Sequence, residues 1–313
     1  MEKTANKISL IVVCGPTGIG KTAAAIGLAE ALGGEIISAD SMQIYRHMDV
    51  GTAKPTPDEQ ARVRHHLIDV VDPDEPFDAA LFSTLAREVA SVLAGQGKLA
   101  VVAGGTGLYI RAMLHGLFDH SPSDPDLRQR LNQEAEDQGA PALHQRLAGV
   151  DPEAAAKVHP NDRLRIVRAL EIHALTGVPL SRQQRAHGFA HSPFAAFKIG
   201  LTMDRESLYR RIDRRVDAMV DQGLTDEVRR LMDMGYGPDL KSMQAIGYRH
   251  MADFIAQRLP WEEAIRTLKR DTRRFAKRQF TWFNAEPEID WFEPDRIGDM
   301  TRAATAFLER SSQ

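Results

Sequence analysis

Ile8-Ser9-Leu10-Ile11-Val12-Val13-Cys14-Gly15-Pro16-Thr17-Gly18-Ile19-Gly20-Lys21-Thr22 is the stretch on which the fold turns. Ile8 to Val13 is an apolar, largely β-branched run of the kind that forms a strand buried on both faces. Gly15 to Thr22 matches G-x-x-x-x-G-K-[ST], and an alanine-rich helical segment runs from Ala23 to about Leu32, where Gly33-Gly34 stops it. A strand, a glycine-rich loop and a helix in this order make Gly15, Pro16, Thr17, Gly18, Ile19, Gly20, Lys21 and Thr22 a phosphate loop. Glycines let the backbone wrap an anion, and successive N–H groups and the helix N-terminus point at it. Lys21 brings a positive charge to the outer phosphate, and the Thr22 hydroxyl is placed to ligate Mg²⁺. The motif specifies phosphate and leaves open whether a nucleotide or a plain diphosphate carries it.

Outward from the loop, strand and helix signals alternate. Strands are predicted at 35–39, 67–71 and 99–103, with a helix at 82–93. This spacing implies an α/β fold, a P-loop NTPase-like parallel sheet core with helices on both faces. The texture changes near residue 118. Residues 119–195 are polar and helical, with a start at Ser123 and Pro125, a stop at Gly139-Ala140-Pro141, and a helix from Asp162 to Thr176 capped by Asn161. They read as an inserted all-helical domain in a core formed by 1–118 and 196–313. Strand character returns at 197–201, helices follow at 205–222, 224–234 and 261–283, and the acidic tail from 286 ends in a short helix.

Asp40 closes the second strand, at the edge where open α/β sheets place their ligands. A carboxylate there serves as a general base, as an outer partner of a metal, or as a turn cap. Gly104-Gly105-Thr106-Gly107 closes the 99–103 strand, where a nucleotide hydrolase often places an Asp for Mg²⁺.

Composition narrows the classes. The 313 residues contain 40 Lys and Arg against 43 Asp and Glu, a formal net charge of −3, and one cysteine. A single Cys excludes a disulfide framework, a Cys-based zinc site and an iron–sulfur cluster. No apolar stretch approaches about 20 residues, so no membrane helix is expected, and no secretory pattern precedes Ile8. A cytoplasmic monomer is the expectation. The net charge first argues against a nucleic-acid partner, but charge is segregated. Residues 265–280 hold seven basic side chains and one acid, whereas 281–313 hold seven acids and three bases. Like charges at i,i+4 weaken a helix unless an anion offsets them, which favours a phosphate-rich partner. Arg205, Arg210, Arg211, Arg214 and Arg215 form a second cluster, and Arg163, Arg165 and Arg168 a smaller one.

The chain resembles the bacterial tRNA dimethylallyltransferases, also called tRNA isopentenyltransferases, over essentially its whole length. The resemblance rests on Gly-Pro-Thr-x-x-Gly-Lys-Thr (15–22), Ala-Asp-Ser-x-Gln-x-Tyr (39–45), Gly-Thr-Ala-Lys-Pro (51–55) and Gly-Gly-Thr-Gly-Leu-Tyr (104–109). It continues with Asn-Asp through Arg-Ala-Leu-Glu (161–171), Gln-Ala-Ile-Gly-Tyr-Arg (244–249) and Ala-Lys-Arg-Gln-x-Thr-Trp-Phe (276–283). The resemblance implies transfer of a dimethylallyl group from dimethylallyl diphosphate, with Mg²⁺, to the exocyclic N6 amine of an adenine next to the tRNA anticodon. It implies Asp40 as the base, Lys21 and Arg215 on the diphosphate, and Thr106 beside the reacting atoms. It also implies tRNA contacts from Asp40, Ser41, Met42, Gln43, Thr106, Arg128, Leu164, Arg165, Ile166, Val167, Arg168, Gln244, Ala245, Ile246, Gly247, Tyr248 and Arg249, the insertion gripping the anticodon stem-loop. The rival readings are a P-loop kinase of small metabolites and a nucleic-acid-binding regulator.

Overall fold

The computed structural model describes residues 7–116, 123–187 and 192–311. The chain divides into two compact units, Met1–Leu114 with Pro193–Gln313, and His115–Ser192. Six strands, β1 (Ile8–Cys14), β2 (Gly34–Ser38), β3 (His65–His66), β4 (Leu99–Gly104), β5 (Phe194–Leu201) and β6 (Ile289–Phe292), form one sheet in the order β3-β2-β4-β1-β5-β6. Every pairing is parallel. The helices among the described residues are α1 (Lys21–Leu32), α2 (Pro57–Arg62), α3 (Ala79–Gly95), α4 (Gly107–His115), α5 (Pro125–Asp137), α6 (Ala140–Val150), α7 (Pro152–Lys157), α8 (Arg163–Thr176), α9 (Leu180–His187), α10 (Arg205–Asp221), α11 (Leu224–Asp233), α12 (Tyr248–Ile255), α13 (Trp261–Asn284) and α14 (Ile297–Ser311).

In β1, Leu10 through Cys14 are all buried, because a parallel strand under two helical layers has no wet face. Ile11, Val13, Ile36, Val101 and Ile199 share one core with Ala25 and Leu28 of α1, Ile212 of α10 and Met300 of α14. Leu10, Val12 and Val102, of opposite parity, face the other side, where α3 packs. The carboxyl ends of β1, β2 and β4 are adjacent, so the loops 15–22, 39–43 and 104–107 meet at one edge.

Several elements differ from the sequence reading. The strand expected at 67–71 is instead the two-residue β3 plus a single parallel bridge between Tyr45 and Val71. Leu67 and Asp69 have φ of 61° and 55°, which a pleated strand does not accommodate. β5 begins at Phe194, across the expected boundary at 195/196, because Phe194, Ala195 and Ala196 already pair with Ile8, Ser9 and Leu10. The other expected boundary, 118/119, lies outside the described residues. Asp162, not Asn161, caps α8, its side chain accepting from the Arg165 N–H. The tail contains β6, and its helix is 15 residues long rather than short.

The second unit has its own core of Leu131, Leu143, Leu147, Ile166, Val167 and Leu170. Beside it the fully buried carboxylate of Glu171 accepts from the Asp124 N–H, at 3.0 Å, and from Arg128 and Arg168. These three donors outweigh the cost of burial and hold the Glu171 carboxyl below its usual range.

Candidate active site

The phosphate loop leaves β1 through Gly15 and passes Gly18 and Gly20, whose φ values are 80° and 109°. A Cβ on Gly18 would lie 2.9 Å from Cγ1 of Ile212, so that position also needs glycine for space. Lys21 opens α1, and no side chain caps the helix N-terminus. Gly20, Lys21 and Thr22 line the adjoining cavity, so an uncapped helix start, the usual anion-binding feature, borders it. The Lys21 ammonium donates to the Pro16 carbonyl at 2.9 Å, folding back over the loop. Burial lowers the Lys21 pKa to about 8; neighbouring Arg215 pushes the same way and Asp40 opposes both. Burial also lowers the Arg215 guanidinium, again opposed by Asp40. Asp40 thus faces two desolvated cations.

Asp40 follows β2. Its Oδ1 accepts from the Met42 N–H at 2.9 Å, an Asx turn, and Oδ2 has no hydrogen-bond partner among the described residues. Thr106 is tied down twice. Its N–H donates to the Ala39 carbonyl at 3.2 Å, and its Oγ1 accepts from the Ser41 N–H at 3.1 Å.

These loops enclose a cavity of about 410 Å³. Thr17, Gly18, Gly20, Lys21, Thr22, Asp40, Thr106 and Arg215 form its polar side, and Ile212, Val216, Met219, Ile246, Leu268 and Phe275 an apolar wall. Gly15, Pro16 and Ile19 of the loop do not line it; Ile19 belongs to the core. Of the residues tied to tRNA by resemblance, Ser41, Met42, Gln43, Gln244, Ala245, Ile246, Gly247 and Tyr248 also line the cavity, whereas Arg249 is turned away onto Asp271 at 2.8 Å. The Gln43 amide is taken up internally, accepting from Ser38 and donating to the Ala53 carbonyl. In the second unit, Leu164 and Arg165 stand exposed on α8, but Ile166 and Val167 are core, and Arg128 and Arg168 clasp Glu171. The side chains of Ile166 and Val167 are thus turned into the core: a helix presents four consecutive residues to different sides, and only two of these face water.

Three features escaped the sequence. Glu227 of α11 is buried, and its two oxygens accept from the Asp49, Val50 and Gly51 N–H groups and from the Tyr248 hydroxyl at 2.6 Å. Burial and that carboxylate raise the Tyr248 pKa well above its ordinary value. Glu227 thereby holds the 49–53 segment that walls the cavity, and only an unexplained acid on an apolar helix face signalled it. Gln279 of α13 joins the phosphate loop to Gly105. The apolar wall is assembled from α10, α13 and the 244–248 segment, which no local pattern links.

The α13 basic stripe is largely neutralised from within. Arg266 pairs with Glu263, Lys269 with Asp217, Arg270 and Arg274 with Asp271, and Arg273 with Asp213. Arg270 first, then Arg249 and His250, hold the Asp271 carboxyl at about 2. Lys277 and Arg278 have no acidic partner among the described residues, and Arg278 reaches the cavity. The like-charge repulsion expected to need an external anion is therefore met mostly by carboxylates of α10 and of α13 itself.

A smaller space of about 40 Å³ lies behind the loop, lined by Lys21, Thr22, Ser38, Asp40, Gln43 and His65 among others. His65 Nδ1 lies 2.8 Å from the Val63 carbonyl, and its buried Nε2 has no partner among the described residues. Among the described residues no group of three or more His, Cys, Asp or Glu is arranged to hold a metal. The Thr22 hydroxyl, on the cavity wall beside the phosphate loop, offers one hard oxygen, which suits Mg²⁺, an ion that usually takes one or two protein oxygens and completes its shell with substrate phosphate and water. No helix among the described residues is long and apolar enough to cross a membrane.

The IPP transferase family profile matches residues 43–286. A tRNA dimethylallyltransferase of Desulfosudis oleivorans is 57% identical over 284 residues, spanning 91% of this chain and 90% of that protein. The crystal structure of the full-length tRNA isopentenylpyrophosphate transferase of Bacillus halodurans superposes with a TM-score of 0.74 at 43% identity, covering 98% of each chain. A eukaryotic dimethylallyltransferase acting on tRNA gives a TM-score of 0.77 at 27% identity, covering 95% of this chain and 77% of that one.

Proposed function

Because the chain belongs to the IPP transferase family, we propose that the cavity is where a dimethylallyl group passes from dimethylallyl diphosphate to the exocyclic N6 of an adenine beside the tRNA anticodon. One observation carries the reading: phosphate loop, unshared carboxylate oxygen and apolar wall border a single space. The relatives named above are all tRNA prenyl-transfer enzymes, which favours transfer of an apolar group over phosphorylation of a small metabolite.

Each part of the space has a task. The allylic C1–O bond breaks and its electron pair leaves on the diphosphate, so negative charge builds at the phosphate loop. The start of α1, Lys21 and Arg215 border the cavity where that charge develops, and preorganised donors of this kind need little reorganisation. Thr22 would hold Mg²⁺ arriving with the diphosphate, which supplies further charge neutralisation when bound. Ile212, Val216, Met219, Leu268 and Phe275 accept the five-carbon chain. An adenine stacked in an anticodon loop cannot reach this depth, so the base is extruded from its stack to enter. Its N6 lone pair forms the bond to C1, and Asp40 takes the proton that N6 sheds. Leu164 and Arg165 of the second unit are available to the RNA. The enzyme works as a cytoplasmic monomer in this reading.

Incubation with tRNA, Mg²⁺ and labelled dimethylallyl diphosphate should place label in tRNA. Transfer of the ATP γ-phosphate to a small molecule, with unlabelled tRNA, would refute the proposal.

Two further outcomes follow. Lys21 in the free enzyme is charged below about pH 8 and neutral above it. Diphosphate affinity measured by calorimetry should fall as pH rises through that value, and Lys21→Arg, which stays charged, should abolish the fall. Met219→Ala removes side-chain volume from the apolar wall. It should raise KM for the five-carbon substrate by about tenfold, the usual scale for a methylene-sized misfit in a hydrophobic pocket, and improve use of a ten-carbon allylic diphosphate. Unchanged chain-length preference would place the prenyl group elsewhere.

A further inference from the structure

Gln279 projects from α13 with 7% of its surface exposed. Its Oε1 accepts from the Thr17 N–H at 2.8 Å and its Nε2 donates to the Gly105 carbonyl at 2.9 Å. One amide thus bridges the phosphate loop and the glycine loop after β4. The junction has no slack: a Cβ on Gly105 would lie 2.3 Å from Gln279 Nε2 and 3.4 Å from Lys21 Nζ. From Gly105 the chain enters Thr106, whose N–H and Oγ1 hold Ala39 and the Ser41 N–H on either side of Asp40. Hydrogen bonds and the covalent Gly105–Thr106 step therefore tie Thr17, through Gln279 and Thr106, to the backbone on either side of Asp40.

We propose that Gln279 is a positioning residue that sets the register between the departing diphosphate and Asp40, so that the allyl carbon is captured by the acceptor amine and not by water. This rests on the transfer reaction proposed above. Productive capture needs the amine about 3–3.5 Å from C1, and a misplacement of about 1 Å costs on the order of 10²-fold. When the register loosens, water takes the place of the amine. The C1–O bond still breaks with its electron pair leaving on the diphosphate, the water oxygen bonds to C1, and the water proton passes to solvent. The products are the allylic alcohol and diphosphate. Glutamine is suited to the position because one neutral amide carries both an acceptor and a donor. Glutamate would keep the acceptor for Thr17 but set an oxygen against the Gly105 carbonyl. Methionine would keep the volume and neither bond.

The test uses the full chain, tRNA and labelled dimethylallyl diphosphate, comparing wild type with Gln279→Glu and Gln279→Met. Labelled tRNA and labelled alcohol are counted together, with tRNA affinity and thermal midpoint as controls. Transfer should slow by about tenfold or more, the alcohol-to-tRNA product ratio should rise several-fold, and tRNA affinity should hold. If Gln279→Met does not fold, the volume-matched Gln279→Glu carries the result. A product ratio equal to wild type in the folded variants, whether or not the midpoint falls, overturns the positioning role. Wild type that leaves tRNA unlabelled overturns the transfer reading instead.

Discussion

Asp40→Asn is expected to lower kcat by about 10²–10⁴-fold, the usual worth of a general base, with tRNA affinity held within about twofold. Asparagine is the informative replacement because Asp40 has two jobs. Oδ1 accepts from the Met42 N–H and shapes the 40–43 turn, a bond that an amide oxygen can also accept. The other carboxylate oxygen, unpartnered among the described residues, is the one available to take the N6 proton. Asparagine therefore preserves the turn and removes the base, whereas Asp40→Ala removes both. The sign for the other substrate is also set. Asp40 offsets Lys21 and Arg215 in the free enzyme, so a neutral amide leaves those cations with less competition for diphosphate. Diphosphate affinity, measured at a pH low enough to keep Lys21 charged, should hold or tighten while turnover collapses. Near-normal turnover of the Asn variant at saturating substrates would remove Asp40 from proton transfer and leave it as a cap.

Glu227→Ala should be the most destabilising single change near the site, by about 3–5 kcal/mol, since several buried donors are left unsatisfied at about 1–3 kcal/mol each before local relaxation. Three backbone N–H groups and the Tyr248 hydroxyl would lose the carboxylate they share. Local collapse offers little relief, since a Cβ on Gly51 would already lie 2.5 Å from the Tyr248 ring. For a chain this size the thermal midpoint should drop by about 5–10 °C. Activity should fall with it even below the transition, because Gly51, Thr52 and Ala53 wall the cavity. Tyr248→Phe removes one of the four bonds and should cost about 1 kcal/mol. Equal losses for the two variants, or a shift under about two degrees for Glu227→Ala, would show that the 49–53 segment is held by something else.

The local grammar of the chain is readable wherever one short segment contains both the signal and its consequence. Ile8 to Thr22 announces strand, loop and helix because β-branching, glycine spacing and the Lys-Thr pair act within a few residues of each other. Asp40 can be placed at the site edge because it ends a strand close to the one bearing the loop. The misreadings share an opposite cause. Leu67 to Val71 looks like a strand, but two left-handed residues break it, and a sequence pattern carries no φ. Adjacency in sequence likewise says nothing about which side of α8 meets the core, so the burial of the Ile166 and Val167 side chains beside exposed Leu164 and Arg165 is visible only in the structure. The α13 arginines look unbalanced in sequence because Asp213 and Asp217, which answer two of the charges, lie on α10.

By itself the sequence determined a parallel α/β core with a phosphate loop, a helical insertion and the family to which the chain belongs. Those properties are carried by hydrophobic periodicity and by motifs whose residues are covalent near-neighbours. Only the tertiary structure decided which groups are free to act. It spent Gln43 on Ser38 and Ala53, locked Glu227 onto a loop far away in the chain, and set Gln279 between two glycine-rich turns. A side chain's availability depends on partners brought together by packing, and the energy of a buried polar group is fixed by whether those partners are met.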